Sequence, residues 1–317
     1  MTKIIGVPRY LEMHSRYKAF HDEIKRQFGE KIFRVTVNAG MTCPNIDGTR
    51  AKGGCTFCQD ASYLGASFEK GATVSQQIEQ GMSYVGRRHG TEKFFVYFQN
   101  GTNTHAPVEV LRKLFDEALS FPNVAGLFIA TRPDSLGNEV LDLLEEINSK
   151  TYLWIELGLQ SHRNDILAAI NRAHTVEEFE DGVRLLHQRK IRVGAHVILG
   201  LPQETDEDTI QKALTINRLP LEGIKIHNLV VFRKTVLEKQ YHEGKYTPLS
   251  LEHYSKLCVD FLEHLRPDIL IERLNAHGPR EQTVAPEWSI NKFLALNAVH
   301  AELEKRDTWQ GKKYFCI

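Results

Sequence analysis

Residues 93–134 read KFFVYFQNGTNTHAPVEVLRKLFDEALSFPNVAGLFIATRPD, and they contain the unit from which most of the chain is built. Lys93 to Gln99 is an aromatic run of strand character. Asn100 to His105 breaks it, and a helical pattern runs from Pro107 to Ser120, with proline at the position where its fixed φ and missing N–H cost least. Val124 to Ala130 is a second apolar strand. It stops at the polar group Thr131, Arg132, Pro133 and Asp134.

The same alternation extends outward in both directions. Upstream, the β-branched IFRVTVNAG from Ile32 to Gly40 reads as a strand, and Thr73 to Arg88 as a helix. Downstream come helix Asn138 to Ser149, strand Tyr152 to Leu159, helix Val176 to Arg189, strand Ile191 to Leu199, helix Asp206 to Leu219 and strand Gly223 to Val231. Strand-then-helix repeats imply a parallel sheet with right-handed crossovers, and nearly continuous apolar strands imply burial on both faces. Both an open doubly wound sheet and a barrel satisfy this pattern, and both gather binding groups at the C-terminal ends of their strands. Beyond Tyr241 the pattern changes to an amphipathic helix (LSLEHYSKLCVDFLEHL), a strand (DILIERL) and a further helix. The chain thus divides into an N-terminal segment 1–30, whose second half has a helical pattern, a core 31–241 and a C-terminal extension 242–317.

Polar residues collect at the strand ends. Gly101, Thr102, Asn103 and Thr104 follow the second strand and Arg132 the third; the fourth carries Glu156 and ends in Gln160. The fifth carries His196 and ends in Gly200, and the sixth carries Lys225 and His227. This distribution points to one cofactor pocket on the rim, and there is neither a G-x-G-x-x-G opening a helix nor a P-loop to make it a dinucleotide or nucleotide site. Plainer roles stand beside the functional ones. Thr102 to Thr104 suit turn chemistry, Arg132 and Glu156 suit a structural ion pair, and Lys225, His196 and His227 are either satisfied interior groups or acid–base catalysts.

The first strand delivers MTCPNIDGTRAKGGCTFCQD, Met41 to Asp60, which holds three of the five cysteines: Cys43, Cys55 and Cys58. Thiolates suit iron–sulfur clusters, zinc and copper. The N-terminus lacks an apolar signal core and no run is long enough to span a membrane, so a cytoplasmic location without membrane attachment is expected and a disulfide is not. A structural zinc ion closes with a fourth ligand; no further cysteine is near, and His21 and His89 are distant in sequence. A four-iron cluster on three thiolates keeps one iron open. Cys258 lies on the apolar face of a helix and reads as core, whereas Cys316 lies near the end.

The ending Cys55-Thr56-Phe57-Cys58, an aromatic residue just before the last cysteine, resembles the cluster motif of radical S-adenosylmethionine (SAM) enzymes. Their usual spacing has three residues between the first two cysteines. The eleven found here resemble a bacterial subgroup related to the catalytic subunit of Elongator. The resemblance implies an α/β fold, a partial (β/α)6 TIM-like barrel with a C-terminal α/β extension. It implies a [4Fe-4S] cluster on Cys43, Cys55 and Cys58 and SAM on the open iron, cleaved reductively to a 5′-deoxyadenosyl radical that abstracts hydrogen from substrate. By position it assigns Gly101 to Thr104 to the methionyl amino group, although the usual acidic residue is missing there. It assigns Arg132 to the carboxylate, Glu156 and its neighbour Gln160 to the ribose side, and Gly200 and Phe57 to the adenine. An electron donor such as flavodoxin or ferredoxin is implied as a partner, and tRNA, through its wobble uridine, as substrate. A small-molecule substrate, or a non-enzymatic zinc or iron–sulfur role, stays open as the alternative. With 40 acidic and 40 basic residues there is no global field to attract RNA; a face built from Arg9, Arg16, Lys18, Lys25 and Arg26 would supply one.

Overall fold

The computed structural model describes residues 15–59 and 71–315. Seven parallel strands form one curved sheet: β1 (Phe33–Val37), β2 (Phe94–Phe98), β3 (Val124–Thr131), β4 (Tyr152–Gln160), β5 (Arg192–Leu199), β6 (Gly223–Asn228) and β8 (Leu270–Arg273), in that order across the sheet. This is a half-barrel of the kind expected. The helices between strands cover its outer face. On β4 the residues Leu153, Ile155, Leu157 and Leu159 all enter that outer core. Alternation then turns Tyr152, Trp154, Glu156, Gly158 and Gln160 inward.

That inward row orders the interior into three levels. At the bottom, Tyr152 and Trp154 join Phe95, Phe128 and Leu270. Helix α1 (Phe20–Phe28) lays Phe20 and Ile24 on this aromatic floor, with the Phe20 and Trp154 rings edge to face at 5.1 Å. The middle level is ionic and holds Glu156. The top level is a cavity that opens at the C-terminal ends of the strands and contains Gly158 and Gln160.

The boundaries of the sixth strand differ from expectation. β6 ends at Asn228 rather than Val231, because Val231–Phe232 (β7) leaves the sheet to pair antiparallel with Thr283–Ala285 (β9). The extension's strand, read from DILIERL, becomes β8, parallel to β6, so the main sheet crosses the division drawn at residue 241. The extension's helix Leu251–His264 packs against helices Asp206–Asn217 and Lys292–Lys305. Cys258 is fully buried in it, and burial pushes its thiol up to about 12, as befits a core residue. Cys316 and Arg9 lie outside the described residues.

Candidate active site

The cysteine loop rests on the rim through main-chain contacts. The N–H of Thr102 donates to the carbonyl of Thr42 at 3.0 Å. Gly101, at φ +74°, is packed so closely there that a Cβ would stand 2.2 Å from the carbonyl oxygen of Met41. Only glycine combines that conformation with that approach. Within the loop, the N–H groups of Ile46 and Asp47 donate to the carbonyl of Cys43 at 2.7 and 3.0 Å, and that of Cys58 to Cys55 at 3.0 Å. Asp47 meets His105 at 2.9 Å, joining the loop to the segment after β2.

One cavity, about 970 Å³ out to its open mouth, is lined by Cys43, Cys55 and Cys58 together with Phe57, Gly101, Thr102, Arg132, Glu156, Gln160, His196 and His227. Seven of these, from Gly101 to His227, come from five successive strand–helix units and converge on the three thiols. No two described cysteines are disulfide-bonded. Among the described residues, no three His, Cys, Asp or Glu side chains are drawn together for a single metal ion. His21 pairs with Asp22 at 3.2 Å and His89 stacks on Phe33 with centroids 4.1 Å apart, so neither serves as a fourth ligand. A cluster takes each thiolate at a different iron and needs a wider set than one tetrahedral ion does. The donor set, soft and three in number on an accommodating cavity wall, therefore fits a four-iron cluster better than zinc.

Four of the candidate residues do not line this cavity. Asn103 turns back, its amide donating to the carbonyls of Phe98 and Ala130, both at 3.0 Å. Thr104 binds the Thr131 hydroxyl at 2.5 Å and donates to the carbonyl of Ser135 at 2.7 Å. Both serve the turn. Gly200, at φ +82°, would meet Leu249 at 2.6 Å if it carried a Cβ; Ile198 takes its place in the lining. Lys225 lies beneath the cavity in the ionic level.

Arg132 and Glu156 do not pair with each other. Arg132 donates to Asp134 through Nε at 2.8 Å and Nη2 at 2.7 Å, and through Nη1 to the carbonyl of Arg172 at 2.9 Å. Of its five N–H groups two are left for a ligand. Glu156 is different, because its four acceptor positions are filled. Oε1 takes Lys225 and, at 3.4 Å, Arg34; Oε2 takes the hydroxyl of Tyr97 and, at 2.8 Å, the ring N–H of His196. A ribose hydroxyl would have to displace one of these, which puts Glu156 at the hub of the ionic level rather than on the cofactor.

The ionic level balances its own charge. Arg34 also donates to Glu272 at 2.5 Å, and the indole N–H of Trp154 donates to the other oxygen of Glu272 at 3.1 Å. Burial opposes ionisation of Glu156, but Lys225, His196 and Arg34 together hold it well below the ordinary carboxylate range. Burial lowers Lys225 to about 8 against the pull of Glu156. Burial lowers His196 too, and lowers His227 well below the ordinary range, where the charges of Arg273 and Lys225 add to it. Both imidazoles are therefore neutral near pH 7, and Nε2 of His227 is buried without a partner.

Several participants escaped the sequence reading. Arg34 in IFRVTV and Glu272 in DILIERL are single charges inside apolar strands, the same signal that marks Glu156. Tyr97 is in phase with Phe95 on β2, so the alternation of that strand was the clue to it. Arg172 had no such signal. It lies in the loop Asn171-Arg172-Ala173, where Asn171 and Ala173 have φ +52° and +57°. Nη1 of Arg172 points at Cys55 Sγ from 3.8 Å, Nη2 donates to the carbonyl of Gly158 at 3.1 Å, and Nε donates to His174 at 2.8 Å. Asn45 adds a second donor to the same sulfur at 3.5 Å.

Comparison with known proteins agrees with this geometry. Residues 45–214 match the family model described as Radical SAM superfamily, and residues 221–305 match the Radical_SAM C-terminal domain. Protein YtqA of Bacillus subtilis is 41% identical over 306 residues, 96% of this chain and 94% of that protein. The tRNA uridine(34) acetyltransferase of Dehalococcoides mccartyi is 29% identical over 156 residues, 47% of this chain and 32% of that enzyme. Among solved structures, the archaeal Elp3 of Methanocaldococcus infernus superposes with a TM-score of 0.62 at 19% identity, covering 88% of this chain and 64% of that one. This chain spans less than two thirds of that protein, and the likeness is one of fold. No helix among the described residues is long and apolar enough to cross a membrane.

Proposed function

The chain belongs to the radical SAM superfamily, whose enzymes use a [4Fe-4S] cluster and SAM, and on that premise we propose that it modifies the side chain of a tRNA wobble uridine. The observation that carries the chemical half of this reading is the convergence of Cys43, Cys55 and Cys58 with Arg132 and Gln160 on one cavity at the strand ends. The RNA half is supported by the partial similarity to a tRNA uridine(34) acetyltransferase. Acetyl transfer is not part of the proposal, since the match covers about a third of that enzyme.

Cys43, Cys55 and Cys58 would hold the cluster, which together with SAM would supply radical chemistry for hydrogen abstraction. The remaining contributions come from the chain itself. The two spare N–H groups of Arg132 suit a carboxylate. Gly101 and Thr102 place backbone close to the cysteines, Phe57 gives an apolar wall beside them, and Gln160 offers an amide at the cavity end of β4. Glu156 fixes Tyr97, His196 and Lys225 in one orientation. Burial brings Lys225 down to about 8, which suits an acid–base role beneath the substrate. Reduction requires a one-electron donor of the flavodoxin or ferredoxin kind.

The test is chemical. Bulk tRNA from cells lacking the protein is incubated anaerobically with reduced, reconstituted enzyme and SAM, then digested and its nucleosides profiled by mass spectrometry. A change confined to a wobble uridine supports the reading. An unchanged profile, with SAM consumed only when small molecules are supplied, would point to a small-molecule substrate instead.

A further inference from the structure

We propose that Arg273, at the C-terminal end of β8, and Lys292, tied to the loop that follows it, bind the phosphate backbone of an RNA substrate; this rests on the tRNA reading above. The N-terminal cations expected to do so are largely engaged. Arg16 pairs with Asp307 at 3.2 Å and donates to the carbonyl of Thr308 at 3.0 Å, Lys18 donates to the carbonyl of Asp268 at 3.0 Å, and Arg26 pairs with Glu23. By contrast, no described acidic side chain pairs with Arg233, Lys234, Arg273, Arg280 or Lys292. Together with the turn 233–234, residues 273–293 hold five Arg or Lys against two acids, Glu281 and Glu287. The neutral total charge hides this local excess.

The fold gathers these cations on one rim. Between β6 and β8 the register slips, so that Lys225 lies opposite Arg273 while Ile224 lies opposite Ile271. Glu272 is the extra residue of a bulge, a device that re-aims side chains beside active sites. It lets Glu272 enter the ionic level while Arg273, exposed, ends the strand at the mouth. The following loop is tied down at both sides. The N–H of Ala276 donates to the side-chain amide oxygen of Asn228 at 2.9 Å, and the Asn275 amide donates to the carbonyl of Lys292 at 3.3 Å. Lys292 is therefore held against the same loop that Arg273 begins. Its ammonium stands 5.1 Å from the centroid of the Phe293 ring, which is 57% exposed. Unpaired cations beside an exposed ring fit a single-stranded or looped polynucleotide, whose phosphates take the charge and whose bases stack.

Binding of fluorescent tRNA to the reconstituted holoprotein, followed by anisotropy over a salt series, tests this. Arg273→Ala and Lys292→Ala should each weaken binding about fivefold at about 0.1 M salt and lower the slope of log K against log salt by about 0.7. Lys25→Ala, on the N-terminal helix, should leave the slope unchanged. Slopes for Arg273→Ala and Lys292→Ala equal to that of the parent would overturn the proposal while leaving an RNA substrate intact. Failure of the parent protein to bind RNA would overturn both. Variants that lose reduction by flavodoxin but keep RNA affinity would reassign the patch to the electron donor.

Discussion

Arg34 on the first strand of the sheet donates to Glu272 on the last, at 2.5 Å. The two edge strands share no main-chain hydrogen bond, so this ion pair spans the open side of the half-barrel and closes its interior at the level of Glu156. The guanidinium also covers the Phe128 ring at 4.0 Å, stacking the ionic level onto the aromatic floor. Charge balance and shape are thus fixed by the same side chain.

Removing one member should leave a buried charge without its partner. Arg34→Met is expected to destabilise the protein by about 3–5 kcal/mol, read from urea unfolding. Arg34→Met combined with Glu272→Met should recover much of that loss, since two apolar groups replace the pair. Equal destabilisation by the single and double variants would show that packing of Arg34 on the aromatic rings, and not its charge, is what matters.

Gly101 tests the link between rim and cysteine loop. In Gly101→Ala the new methyl group meets the carbonyl of Met41, at a φ that alanine disfavours. Iron content after reconstitution should fall several-fold while the far-ultraviolet circular dichroism stays that of the parent. Full iron loading in the variant would mean that the loop does not depend on this contact.

His174 sets an acid limit. Burial, then the charge of Arg172, lowers it from 6.5 to about 3. The unfolded chain therefore binds a proton between about pH 6.5 and 3 that the native protein refuses. Stability should fall with falling pH across that window at up to about 1.4 kcal/mol per unit. Replacing His174 by Gln should flatten the slope by that amount in unfolding curves measured at several pH values.

Arg172 bears on the cluster itself. A guanidinium donor near Cys55 Sγ stabilises the extra negative charge gained on reduction. Arg172→Met should therefore shift the midpoint potential to more negative values, by about 60–130 mV for a charge-assisted bond of about 1.5–3 kcal/mol. An electron paramagnetic resonance redox titration reads this directly, and Arg172→Lys should recover part of the shift.

The legible and illegible parts of this molecule divide on physical grounds. Strand and helix positions were plain because each strand is buried on both faces and each crossover helix carries a periodic stripe, as at Val124–Thr131 and Val176–Gln188. The cysteines announced themselves by chemistry and spacing. Glu156 was visible as a lone charge in an apolar strand, but its partner Arg34 and the second carboxylate that Arg34 binds, Glu272, come from opposite edges of the sheet, and only closure of the half-barrel brings them together. The end of the sixth strand was misjudged because Val231 and Phe232 have strand character and do form a strand, in a different sheet. Arg172 was illegible, since its position depends on two left-handed residues, Asn171 and Ala173, that carry no glycine signature.

The central claim is that the three thiols hold a cluster that cleaves SAM. The most direct measurement is anaerobic reconstitution with iron and sulfide, chemical reduction, addition of SAM and assay for 5′-deoxyadenosine. The account predicts that product from the parent protein and none from Cys58→Ala. A colourless protein holding one zinc per chain, or equal product from Cys58→Ala, would contradict it.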